Sequence, residues 1–123
     1  MTMNIGGASA LNYSEWKSCI VADEGTASAE CNLGAAYKYV TVINPTIDSA
    51  YMSVQGSMTS GGTFYPIHTW NDADTDLTVL QATTTETTSK AVTYLLGGFQ
   101  FVKVAFSAAQ NGGPYTLYLR GFN

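Results

Sequence analysis

The sequence predicts an all-β protein: a single β-sandwich, jelly-roll-like, of about eight short antiparallel strands. Three observations carry that reading. Short runs rich in Val, Ile, Thr, Tyr and Phe recur along the chain, and each stops at a cluster of Gly, Pro, Asn or Asp. No segment sustains a helical apolar period with capping residues at its ends. Charged residues make up only 11% of the 123 positions, against about 25% in ordinary globular proteins. Thr, Ser, Gly, Ala and Tyr fill the difference, and hydroxyl, β-branched and aromatic residues favour strands over helices.

Taken in order, residues 1–12 are small and polar and read as a flexible N-terminal arm, with Thr2, Met3, Asn4 and Ile5 near its start. The domain itself spans residues 13–123. Residues 17–22 form a first strand, and Asp23-Glu24-Gly25-Thr26 is turn chemistry. Residues 27–36 are small and fit a loop or a weak helix. The β-branched run 39–43 ends at the breaker Asn44-Pro45, and residues 50–55 alternate up to Gly56. In residues 63–70, Pro66 cannot donate to a ladder, so this segment belongs at a sheet edge or a bulge. A polar loop, a short strand at 77–81 and a Thr-rich connector at 83–89 follow. Residues 91–96 run into Gly97-Gly98, and residues 99–106 are apolar on both faces, as a covered or central strand requires. Gly61-Gly62, Gly97-Gly98 and Gly112-Gly113 all read as hairpin turns. Residues 115–120 close the domain, with Tyr115, Leu117 and Leu119 on one face.

Charge and length then bound the function. The net charge is −4, and no basic patch exists to neutralise phosphates, which argues against nucleic-acid binding. No stretch approaches the roughly 20 apolar residues of a membrane span. The start lacks a basic segment followed by an apolar core, so no secretory leader is expected. A chain so poor in charge has little solubility margin, which fits a surface partly covered by another protein.

Few residues offer chemistry. His68 is the single histidine, and no nucleophile-elbow motif accompanies it, so it reads as a side chain on an edge strand and no enzyme is expected. Asp72, Asp74 and Asp76 alternate in a loop, a pattern that can grip calcium. The glycine and terminal glutamate of an EF-hand are missing, and an acidic turn explains the same residues. Apart from that possible calcium, no cofactor is expected. Cys19 and Cys31 either pair across neighbouring strands or stay reduced as small buried hydrophobes. The aromatics are numerous, and Phe64, Tyr65 and Trp70 on the Pro66 edge are candidates for partner contact, as are Thr2, Met3, Asn4 and Ile5 of the arm.

The segment Leu95-Leu96-Gly97-Gly98-Phe99-Gln100-Phe101-Val102-Lys103-Val104, followed by Ser107-Ala108-Ala109-Gln110 and Tyr115-Thr116-Leu117-Tyr118-Leu119-Arg120-Gly121, resembles the end of small bacteriophage virion proteins. The resemblance implies a structural protein of the capsid decoration (cement) type, made in the host cytoplasm and carried on the capsid surface. Its implied partners are the major capsid protein or other virion proteins, and further copies of itself, a trimer being favoured. Two other readings stand beside it: a tail, baseplate or fibre component, and a carbohydrate-binding β-sandwich with exposed aromatics.

Overall fold

The computed structural model describes residues 12–70, 78–84 and 89–123. The described residues are all-β and antiparallel, in ten strands: β1 (Lys17–Val21), β2 (Gly25–Ala27), β3 (Cys31–Asn44), β4 (Tyr51–Ser57), β5 (Tyr65–Pro66), β6 (His68–Trp70), β7 (Thr78–Leu80), β8 (Ala82–Thr84), β9 (Lys90–Gln110) and β10 (Tyr115–Phe122).

The main sheet runs β1-β10-β3-β9-β4-β5, with β2 also on β9 and β8 also on β4. The 21-residue strand β9 organises it. Its first half pairs with the end of β3, from Tyr39↔Leu95 to Asn44↔Lys90. Its second half pairs with β4, from Met52↔Phe106 to Ser57↔Phe101, and on the other side with β2 and the start of β3.

Gly97 and Gly98 sit at the handover between these halves, at φ +75° and +93°. Only glycine adopts that region without a Cβ penalty. Between the pairs Tyr39↔Leu95 and Tyr37↔Phe99, β3 advances two residues and β9 four, so the glycines form a bulge inside one strand. The hairpin expected at Gly97-Gly98 is therefore corrected: the positive φ values bend and twist β9 while pairing resumes on both sides. Gly112, at φ +88°, does lie in a turn, between β9 and β10, and Gly61, at φ +73°, lies in the turn after β4.

The expected loop or weak helix at residues 27–36 is corrected too. Cys31 to Ala36 already belong to β3, whose irregular register beside β9 tolerates Gly34 at φ +90°. The expected strand at 63–70 divides at Ile67. Its N–H reaches the Val54 carbonyl (3.2 Å), and its carbonyl accepts from Gln81 N–H (3.4 Å). β5 with Pro66 stays at the sheet edge on β4, as Pro66 requires, while β6 joins β7 in a separate two-stranded ribbon. Thr83 and Thr84 of the expected connector, with Ala82, form β8 on β4.

The core follows the strand period of two. Cys19 and Val21 of β1, Val40 and Val42 of β3, Met52 and Val54 of β4, and Leu117 and Leu119 of β10 all point inward, with Tyr94, Leu96, Val102, Val104 and Phe106 of β9. Strands from opposite ends of the ladder thus share one core, which means the sheet curls round it. The curl is tied by backbone bonds: Ala29 N–H donates to Ile20 O (2.9 Å), joining β1 to the segment after β2, and Ser28 N–H donates to Val104 O of β9 (2.8 Å). Cys19 and Cys31 are free thiols facing each other across this closure. Their shared hydrogen bond, with burial, pushes the Cys31 thiol well up, so it stays protonated near neutral pH. The Tyr94 hydroxyl is likewise pushed up by burial and donates to Met52 O at 2.9 Å.

Of the expected arm, residues 1–11 lie outside the described residues. Asn12 O accepts from Asn123 N–H (3.0 Å), so the first described residue lies beside Asn123.

Candidate protein-interaction surfaces

The residues singled out from sequence fall in different places. Thr2, Met3, Asn4 and Ile5 lie outside the described residues, as do Asp72, Asp74 and Asp76. Among the described residues, no three His, Cys, Asp or Glu side chains come together as a metal site. His68 is exposed on β6, with Nδ1 3.4 Å from Pro66 O.

Phe64, Tyr65 and Trp70 are described; Phe64 and Tyr65 lie at the β5 edge of the main sheet and Trp70 on the two-stranded ribbon that follows it. Phe64 is half-buried, and the Lys103 ammonium sits 4.7 Å from its ring centroid. That cation–π contact holds the ring against the sheet. Beside it, the Glu30 carboxylate accepts from Ser60 Oγ (2.6 Å) and Gly61 N–H (2.7 Å), clamping the turn that leads into this edge. These two bonds favour the charged form and hold Glu30 below the usual carboxylate range. Tyr65 stands exposed on edge strand β5. Trp70 is 69% exposed at the end of β6; Leu80 of β7 is exposed on the same side of the ribbon, and Val79 on the other. A two-stranded ribbon of this length is marginal alone in water, so its apolar side chains gain by packing on a partner.

A second surface was missed from sequence. On the outer side of β1, β10, β3 and β9, register places Ser18 beside Tyr118, and Tyr118 beside Ile43 and Ala91. The next outward row holds Arg120, Thr41 and Thr93, and the one after holds Phe122, Tyr39 and Leu95. Tyr13 joins Phe122 by an isolated bridge. Tyr39 and Phe122 stack at 5.3 Å between centroids. The Arg120 guanidinium lies 4.6 Å from the Tyr13 centroid and 4.8 Å from that of Trp16. Tyr13, Trp16, Ile20, Tyr39, Leu95 and Tyr118 are all exposed on this face, a concentration of apolar surface of the kind that marks interaction sites. The signal was present in β10, where Leu117, Leu119 and Gly121 alternate with Tyr118, Arg120 and Phe122. Sequence reading stopped that strand at Arg120 and left Tyr13 and Trp16 without partners.

No family model matches the chain, and no curated protein matches its sequence. Among solved structures, it is similar to the SPBc2 prophage-derived protein YomS, with a TM-score of 0.52 and 15% identity. The likeness covers 100% of this chain and 99% of that one, so the two share a fold from end to end.

Proposed function

We propose that this chain is a structural protein of a bacteriophage particle, of the capsid decoration type, which binds the assembled shell through protein–protein contacts. The observation that carries the reading is the fold shared over the whole chain with a prophage-derived protein. The resemblance of residues 95–121 to small virion proteins points the same way. The surfaces suit such a role: an edge strand with Tyr65, a ribbon presenting Trp70, Val79 and Leu80, and an aromatic sheet face. A protein that binds only the assembled shell stabilises it by mass action, and one modest contact repeated over a symmetric particle becomes strong through multivalency. The edge at Tyr65 and the ribbon at Trp70 are the proposed shell contact, since an open edge offers backbone groups as well as side chains. The chain then works by binding and not by catalysis.

The test is quantitative mass spectrometry of purified particles from the source. A copy number equal to that of the major capsid protein, or a simple fraction of it, is expected. A trace copy number would move the protein to the tail or a vertex, and absence from particles would overturn the virion reading and favour the sugar-binding one.

A further inference from the structure

The two cysteines meet at the seam where the sheet closes on itself. Cys19 belongs to β1 and Cys31 opens β3, two strands that share no ladder because β10 stands between them. They come together because the chain entering β3 runs back along β1: Val21 bridges Ser28, and Ala29 N–H donates to Ile20 O at 2.9 Å. Cys19 lies one residue from Ile20 and Cys31 two from Ala29. Both belong to the core, and their thiols share a hydrogen bond. Thiols in contact meet the first condition for a disulfide, which fails where two cysteine side chains point apart.

The shared bond also makes the two sulfurs unlike. It favours the Cys19 thiolate, against the opposing effect of burial, and keeps the proton on Cys31. Cys19 is therefore the nucleophile of the pair. The thiols are only 4% and 3% exposed, so a bulky oxidant is shut out and a small one enters when the seam opens locally. The chain leading into that seam is loosely built: β2 is three residues long and meets β9 in a broken register. Short, irregular pairing of this kind opens well before the core does.

We propose that Cys19 and Cys31 are an oxidisable pair, which a peroxide converts into an internal disulfide stapling β1 to β3. The Cys19 sulfur attacks one oxygen of hydrogen peroxide, the O–O bond breaks, and the products are a sulfenic acid and, after proton uptake, one water. The Cys31 sulfur then attacks the sulfenic sulfur. The S–S bond forms as the S–O bond breaks, and the leaving hydroxide takes the Cys31 proton to give a second water. The two thiols lose two electrons between them, and one peroxide is reduced to two waters. The chain thus stays reduced in a reducing compartment and gains the staple outside it. Closing residues 19–31 into a loop restricts the unfolded chain, and the seam can no longer part while the bond is in place. The pair lies in the core, so none of this depends on which outer surface meets a partner.

Hydrogen peroxide added to the purified, reduced full chain in neutral buffer without denaturant tests it. Intact mass spectrometry should show the loss of two hydrogens, and thiol titration after unfolding should find no free thiol. Cleavage after Glu24 or Glu30 should leave the fragments that carry Cys19 and Cys31 joined until a reductant is added. The melting temperature should rise by about 5–10 °C with the bond in place and fall back on reduction. A Cys19→Ser chain, shown to be folded by circular dichroism, should keep its Cys31 thiol at the same dose; the wild-type measurements need no variant. Two free thiols after peroxide, separate oxidation of each sulfur, a bond between chains, an internal bond formed only in denaturant, or a bond that leaves the melting temperature unmoved would each overturn the proposal.

Discussion

Gly121 tests the packing on which the whole β10–β3 contact rests. It lies on β10 opposite Val40 of β3 and is buried. A Cβ placed there would stand 2.5 Å from Cδ2 and 2.7 Å from Cγ of Tyr37, and 3.1 Å from Cδ1 of Leu33. Carbon atoms pack best at about 3.5 to 4.0 Å, so the Tyr37 ring must retreat by roughly 1 Å. It has nowhere free to go, because Tyr37 is 7% exposed and Leu33 1%. Overpacking of this kind costs about 1–3 kcal/mol. Replacing a glycine returns about 0.4–1 kcal/mol by restricting the unfolded chain. The net expectation for Gly121→Ala is a loss of about 1–2 kcal/mol. At about 2.1 cal/mol/K per residue, 123 residues give an unfolding entropy near 0.26 kcal/mol/K, so the melting temperature should fall by about 4–8 °C. Differential scanning calorimetry of the wild type, Gly121→Ala, Tyr37→Leu and the double variant checks it. The double variant should be more stable than the sum of the single losses allows, because the smaller side chain makes room for the methyl group. Gly121→Ala melting at or above the wild type, or strict additivity with Tyr37→Leu, would refute the reasoning.

Two further outcomes follow from buried or clamped polar groups. Tyr94→Phe removes the donor to Met52 O and should cost about 1 kcal/mol, read as a fall of about 4 °C in melting temperature; an unchanged value would mean that the bond adds nothing net. Glu30 is held below its ordinary range by Ser60 and Gly61, so its contribution to stability is full above the unfolded value of about 4.3 and is lost as pH falls through the lower folded value. The melting temperature of the wild type should therefore drop more steeply on acidification than that of Glu30→Gln, and parallel curves would show that the clamp on the 57–62 turn is not electrostatic.

Alternation made much of the fold readable. That Val102, Val104 and Phe106 share one side of their strand, and Leu117 and Leu119 one side of theirs, follows from the strand period, as does the β class itself; that these sides face the core is decided by the fold. Pro66 also spoke locally: a residue without an N–H belongs at an edge, and β5 is an edge. Gly97-Gly98 misled because a glycine pair allows positive φ without saying whether the chain then reverses or continues. What decides is whether the flanking residues find ladder partners on both sides, and β3 and β4 supply them from distant parts of the sequence, Tyr39 for Leu95, Tyr37 for Phe99 and Ser57 for Phe101. Residues 31–36 misled for a related reason: Ala and Gly have little strand preference of their own, and pairing beside β9 overrides it.

The interaction surfaces divide in the same way. Tyr65 and Trp70 were legible as exposed candidates because they flank a breaker in an otherwise apolar run. The cluster of Tyr13, Trp16, Arg120 and Phe122 was not, since its members lie about 100 residues apart and meet only when the residues before β1 fold back along β10. By itself, the sequence determined the β class, which residues of a strand share a side and the scarcity of charge, because these depend on local periodicity and composition. Only the tertiary structure decided which outward side chains share a face, because that depends on strand order and register, which are set by pairing between distant segments.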